Sequence, residues 1–377
     1  MKVNPAAVSL PDEKADLMFY ILHTTARCNL RCSYCYVNHD DIDMTVETAR
    51  AVVDLAEMCA KRAGLFFFGG EPLLMKELIY ETVAYANERK RNCSYFFKIT
   101  TNGLLLDDEF IDFARRESIL ISLSLDGLKE SHDAHRQDAE GHGCYDKVVS
   151  ASQRLLSVKP YSQGLMTVLP DTVGLYAAGV DALFNLGFCY VATSLDYSAD
   201  WREEHLPELT RQYEALADLY ERKSLAEEKF FFGPFEEKII SYVNNRNLCH
   251  ERCELGFHHA SVGTDGTLYP CIQFVGNKTF NLGNVYDGVD ETSRQAIYAL
   301  GNQKKPGCDR CAIRARCNHA CACINWQATG SINKVPPMLC AHERIVLPIV
   351  DSLAERLYKK GSMRFVQKHY DNFYSFD

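Results

Sequence analysis

Between residues 17 and 194, short apolar β-prone runs alternate with helical stretches, and no other feature of the chain restricts its architecture as much. The runs LMFYILH (17–23), GLFFF (64–68), YFFKIT (95–100), ILISLSL (119–125), GLMTVL (164–169) and CYVATS (189–194) read as strands. Between them, residues 46–62, 76–89, 107–116, 145–157 and 173–186 read as helices. Such a succession builds parallel βα units, and six of them suit either an open doubly wound sheet or a partial barrel. In both architectures ligands gather at the C-terminal ends of the strands. Residues 203–247 then read as a helical bridge, and the texture changes from Cys249 to Cys340, where hairpin-like runs surround the turn GTDGTLYP (263–270). The tail carries one closing helix, ERIVLPIVDSLAERLYKK. The expected division is therefore a core over 1–200, a bridge over 201–248, a cysteine-rich module over 249–345 and a helix with its tail over 346–377.

Charge and cysteine content narrow the function. With 41 Lys+Arg against 50 Asp+Glu the net charge is −9, the wrong sign for a nucleic-acid partner. No apolar run reaches the roughly 18 residues that span a bilayer, and the start lacks a basic segment followed by a long apolar one. The expectation is a cytoplasmic protein. In a reducing compartment the 16 cysteines read as metal ligands rather than a disulfide framework, and they are clustered as ligands would be.

The first cluster, TTARCNLRCSYCYV, sets Cys28, Cys32 and Cys35 in Cys-x3-Cys-x2-Cys spacing directly after the first strand. Such a loop can bring three thiolates to three corners of one cubane, leaving the fourth iron without a protein ligand. The alternative is a structural zinc site closed by His23 or His39. The loop, with Tyr34 before its last cysteine, resembles the signature of the radical S-adenosylmethionine (SAM) enzymes. That resemblance implies a partial (β/α)6 barrel and a 4Fe-4S cluster held by Cys28, Cys32 and Cys35. It also implies SAM chelated to the free iron and cleaved reductively to a 5′-deoxyadenosyl radical that takes a hydrogen atom from the substrate. Later strand ends fit the same family. Gly69-Gly70-Glu71-Pro72 resembles its GGEP motif, which contacts the cofactor's amino group, and Thr101-Asn102-Gly103 resembles its TNG turn. Ser124-Leu125-Asp126-Gly127 with HDAHR resembles the stretch that holds the ribose and carboxylate, which makes Ser124 and Arg136 the candidates.

Downstream, Cys308-x2-Cys311-x5-Cys317-x3-Cys321-x18-Cys340 follows Cys249-x3-Cys253 and Gly266-x4-Cys271. Eight cysteines can close two four-thiolate sites, for iron–sulfur clusters or for zinc. The order is similar to the SPASM domain, the extension of peptide-modifying radical SAM enzymes that carries two auxiliary 4Fe-4S clusters, making three in all. Its interleaved ligation would give Cys249, Cys253, Cys271 and Cys321 to one auxiliary cluster and Cys308, Cys311, Cys317 and Cys340 to the other, with Cys323 a possible substitute. Cys59, Cys93, Cys144 and Cys189 read as buried, inert thiols.

By resemblance the substrate is a peptide or protein. The sulfatase-maturing branch places an aspartate after the cysteine corresponding to Cys271 and a glutamine before GGEP; this chain has Ile272 and Phe68 there, and CIQFVG followed by NLGNV looks more like maturases that crosslink ribosomal peptides. The expected reaction is oxidative formation of a thioether or carbon–carbon crosslink. The alternatives are a maturase of redox cofactors of the pyrroloquinoline quinone or mycofactocin kind, a sulfatase-type formylglycine maturase, and a non-enzymatic zinc scaffold. Asp196, Tyr190 and Tyr269 are weak candidates for a base, and none is assigned. Sixteen residues before the first strand are too few for a leader-binding winged helix. Recognition is therefore expected either from a separate leader-binding protein or from the barrel mouth and bridge directly. A flavodoxin or ferredoxin is the expected electron donor; no membrane partner is expected.

Overall fold

The computed structural model describes residues 14–90, 92–245 and 254–370. The first four strands are β1 (Met18–Thr25), β2 (Arg62–Gly69), β3 (Ser94–Thr101) and β4 (Leu120–Ser124), with helices α1 (Val46–Cys59), α2 (Lys76–Glu88) and α3 (Asp108–Arg116) between them. Next come α4 (Lys129–His135), α5 (Tyr145–Val158), β5 (Gln163–Val168), α6 (Tyr176–Asn185) and β6 (Tyr190–Leu195). The class is the parallel α/β one that the alternation predicts. Beyond it run α7 (Leu206–Leu225), β7 (Phe231–Phe232), α8 (Gly233–Val243), β8 (His259–Val262), β9 (Leu268–Tyr269), β10 (Gly283–Asn284) and β11 (Gly288–Val289). Four helices finish the chain: α9 (Glu291–Gly301), α10 (Ala322–Thr329), α11 (Pro337–Lys360) and α12 (Met363–His369).

These elements gather into two compact units. One holds β1–β4, α1–α3, α5 and residues 254–303. Its strands lie in the order β4-β3-β2-β1-β8-β9, parallel except for the antiparallel hairpin β8–β9. Alternation sorts the side chains. Leu22, Leu65, Phe67 and Ile99 are buried beneath the helices, while Phe19, Phe66 and Phe96 meet as a ring cluster on the other face, with centroids 5.4–6.0 Å apart. Helix starts follow the expected chemistry: Thr45 caps α1, and Asp107 caps α3, which runs from Asp108 and Glu109 to Arg115 and Arg116 along its dipole.

The other unit contains β5, β6 and β7 in parallel order, with α7 and α11 packed together. His342 of α11 joins Tyr197 (Nδ1, 2.7 Å) to Tyr213 of α7 (Nε2, 2.6 Å). Burial holds its pKa down at about 4, so the ring is neutral between the two hydroxyls.

Three expectations are corrected. Phe231–Phe232, read as part of a helix, forms a short strand paired with β6, because an extended aromatic pair next to Gly233-Pro234 fits the sheet edge better than a helix start. The cysteine-rich stretch has its hairpin at the expected turn, but it also contains α9 and α10. Cys93 and Cys144 are buried as expected, whereas Cys59, last in α1, and Cys189, just before β6, are only half-buried because each sits at the end of an element. Among the described residues no helix is long and apolar enough to cross a membrane.

Candidate functional site

β1 ends at Thr25, and the loop that leaves it is tied at its root. The Thr25 hydroxyl donates to Asp43 Oδ1 at 2.5 Å, and Arg27 grips the same carboxylate through Nε (2.9 Å) and Nη2 (2.5 Å). A bidentate guanidinium–carboxylate pair fixes orientation as well as distance, so residues 26–43 close on themselves at the strand's end. Within this loop Cys28 and Cys32 are half-buried and Cys35 is exposed. Leu30 N–H donates to Cys28 Sγ at 3.4 Å. Burial pushes the Cys28 thiol up to about 12, so it keeps its proton until a cation draws it off.

A second segment is laced to the loop. Arg31 N–H donates to the Gln137 carbonyl and Ser33 N–H to that of His135, while the Ser33 hydroxyl meets His135 Nδ1 at 2.9 Å. Between the two laced residues, Arg136 is 8% exposed and its guanidinium lies 5.3 Å from the Tyr34 ring centre.

The glycines after β2 are required by backbone contact. Gly69 has φ of 120°, and a Cβ at Gly70 would lie 2.0 Å from the Arg27 carbonyl oxygen. Gly70 and Glu71 N–H donate to the Thr25 and Arg27 carbonyls at 2.8 and 2.9 Å, docking this turn on the root of the cysteine loop. The Glu71 carboxylate, 1% exposed, accepts from Thr101 Oγ1 (2.7 Å), Asn102 N–H (2.8 Å) and Leu73 N–H (3.0 Å). Burial raises its pKa against these bonds, and its oxygens are committed to the turn after β3. Asn102 in turn donates through Nδ2 to Asn29 Oδ1 (2.8 Å) and to Cys28 Sγ (3.8 Å). Cysteine loop, Gly69–Glu71, Asn102 and Arg136 thus form one connected body, with Ser124 half-buried at the end of β4, next in the sheet.

Of the weak base candidates, Asp196 closes its own turn on Ser198, and Tyr190 opens β6 at the end opposite the strands' C-termini. Tyr269 is buried and lines a cavity with His23, a residue that the sequence suggested only as a zinc ligand.

Downstream, Cys308 lies close enough to Cys311 and Cys340 to feel their charge, and Cys317 is 8% exposed near Arg344. Cys321 and Cys323 bring their sulfurs to 3.4 Å. Cys249 and Cys253 lie outside the described residues. Among the described residues, no three cysteines bring their sulfurs within 4.8 Å of one another.

The family described as the Radical SAM superfamily matches residues 22–173. The chain is 27% identical over 297 residues to the cysteine-type anaerobic sulfatase-maturating enzyme of Clostridium novyi, spanning 70% of this chain and 78% of the relative. To the serine-type enzyme of Bacteroides thetaiotaomicron it is 25% identical over 393 residues, covering 91% and 92%. Among solved structures, native anSMEcpe with bound AdoMet and Cp18Cys peptide shares the fold with a TM-score of 0.78 at 19% identity, over 92% of this chain and 99% of that one. Streptococcus suis SuiB bound to precursor peptide SuiA gives 0.64 at 15% identity, over 86% and 76%.

Proposed function

We propose that this chain, whose residues 22–173 match the radical SAM superfamily, oxidises a side chain of a peptide or protein substrate. The observation that carries this is the connected body at the strand ends, where the residue that orients Cys28, Asn102, is itself fixed by Glu71, and where His135 and Gln137, on either side of Arg136, are laced to the cysteine loop. When bound, a 4Fe-4S cluster and SAM supply a 5′-deoxyadenosyl radical that removes one hydrogen atom. Cys28, Cys32 and Cys35 would hold the cluster. The Gly69–Glu71 backbone and Asn102 would seat the amino end of SAM, and Ser124 and Arg136 its ribose and carboxylate. The gathered Cys308, Cys311 and Cys340, with Cys317, would hold one auxiliary cluster, and Cys271 and Cys321, with Cys249 and Cys253, the other. Such auxiliary clusters, when bound, would accept the second electron of the oxidation.

The product we favour is a crosslink, thioether or carbon–carbon, because Ile272 brings no carboxylate to the position after Cys271. Formylglycine formation is the second reading, supported by the identity to sulfatase-maturating enzymes over most of the chain. Anaerobic co-expression with a short peptide encoded beside the gene, followed by fragmentation mass spectrometry, tests both. Loss of two hydrogens confined to linked fragments is expected. An aldehyde at a serine or cysteine would move the assignment to the second reading; a colourless protein that leaves SAM intact would overturn it altogether.

A further inference from the structure

His23 stands near the C-terminal end of β1, on the strand face that also carries Phe19, and its ring lies 5.5 Å from that of Phe68. It is 4% exposed, and its Nε2 is buried without a hydrogen-bond partner. A buried polar atom left in this state costs stability unless something arrives to bond it. His23 is among the residues that line a cavity of about 190 Å³ formed wholly within one unit. Tyr36 and Ile42 of the cysteine loop wall one side; Tyr269, Ile272 and Val275, from the hairpin and the turn after Cys271, wall the other.

Asn38 and Thr264 also line the cavity, while two of its other polar residues are engaged. Thr25 donates to Asp43 and accepts from Arg27 N–H, and Asp265 accepts from Thr267 N–H and its hydroxyl. Asp40 is exposed at the rim. The cavity therefore combines a mixed polar and apolar lining with a histidine whose Nε2 is unsatisfied. Ligand sites for whole cofactors run from roughly 300 Å³ upward, so this volume fits a single side chain.

We propose that the cavity receives one side chain of the peptide substrate, tipped with a neutral protic group, a hydroxyl or thiol, that bonds His23 Nε2. The proposal rests on the reading above that the substrate is a peptide. Burial holds the imidazole at about 4, so it is neutral in the cell and presents either one N–H or one lone pair, both of which suit such a tip. A site built around one buried hydrogen bond rejects the isostere lacking it far more sharply than an apolar pocket rejects a missing methylene.

The test uses the full chain, purified anaerobically with SAM, and a positional library of octapeptides in which one position is Ser, Thr, Cys or Tyr, or an isostere, Ala, Val or Phe. Affinity selection read by mass spectrometry should enrich protic members at one position by about ten-fold or more over their isosteres, and the residue enriched tells hydroxyl from thiol. His23→Leu should bring that ratio to near one while other positions stay as in the parent. Val275→Trp, which fills the cavity from the opposite wall, should abolish the same enrichment without altering His23. Enrichment that survives both variants, or capture of peptides with no protic preference, would overturn the subsite alone. A parent protein that binds SAM and captures no peptide would overturn the peptide reading and the subsite together.

Discussion

The two cysteine-bearing regions are held in place by different physics. The loop over residues 26–43 hangs from a strand end through backbone hydrogen bonds and one partly exposed carboxylate, and its laces run to neighbouring turns. The stretch from Cys308 to Cys340 is instead braced by charge. Lys238 of α8 and Glu343 of α11, 5% and 0% exposed at their side chains, pair at 2.6 Å; Lys238 also donates to the Arg316 carbonyl, and Glu343 accepts from Asn318 N–H, on either side of Cys317. Arg316 forks onto Asp351 at 2.5 and 2.8 Å. A strand end repeats its geometry because the sheet fixes it. A turn-rich stretch has no such lattice, and buried ionic anchors supply the uniqueness that regular structure would otherwise give.

The largest effect should come from emptying the first region. Replacing Cys28, Cys32 and Cys35 together by alanine is expected to abolish 5′-deoxyadenosine formation while iron bound by the downstream cysteines persists. Retained cleavage in that triple variant would break the comparison at its root. Next in size, Lys238→Met leaves Glu343 buried and unpaired and should cost about 3–5 kcal/mol by denaturant titration. Iron should be lost from the downstream sites first, and equal loss at both would show that the two regions are not separately braced. The smallest effect concerns His23. Its pKa is held at about 4 against an ordinary 6.5, so between those values the unfolded chain binds the proton first and stability falls as pH falls. His23→Leu should flatten that fall by at most about 1.4 kcal/mol per pH unit between pH 6.5 and 4, and an unchanged slope would place the imidazole in water.

The strands and the cysteine spacing were legible because both are local patterns. Each expected strand lies within two residues of an observed one, since each is a short apolar run set between helical stretches. The pairing of β8 with β1 was not legible: HASV carries no pattern that names a partner so far away. Nor were the commitments of side chains. Glu71 and Asn102 read as ligand contacts, but the sequence gives no sign that Glu71 is bound up with Thr101 or that Asn102 reaches Cys28. His23 looks the same in the sequence whether its nitrogen is satisfied or open. Phe231–Phe232 failed for the opposite reason, because an aromatic run next to a helix start fits both periods at once.

The strand that carries the cysteine loop is bordered by β2 on one side and by β8 on the other, and Phe19 meets its partner His259 only 240 residues later. At a ribosomal pace of 5–20 residues per second, that flank of β1 stays bare for roughly ten to fifty seconds while the rest of the chain is made. During this interval the nascent protein presents an unpaired edge beside three free thiols, open to another chain or to oxidation. Expression that outruns the cell's chaperones should therefore yield aggregates seeded at β1, and a lower expression level, with fewer such chains present at once, should raise the yield of folded protein.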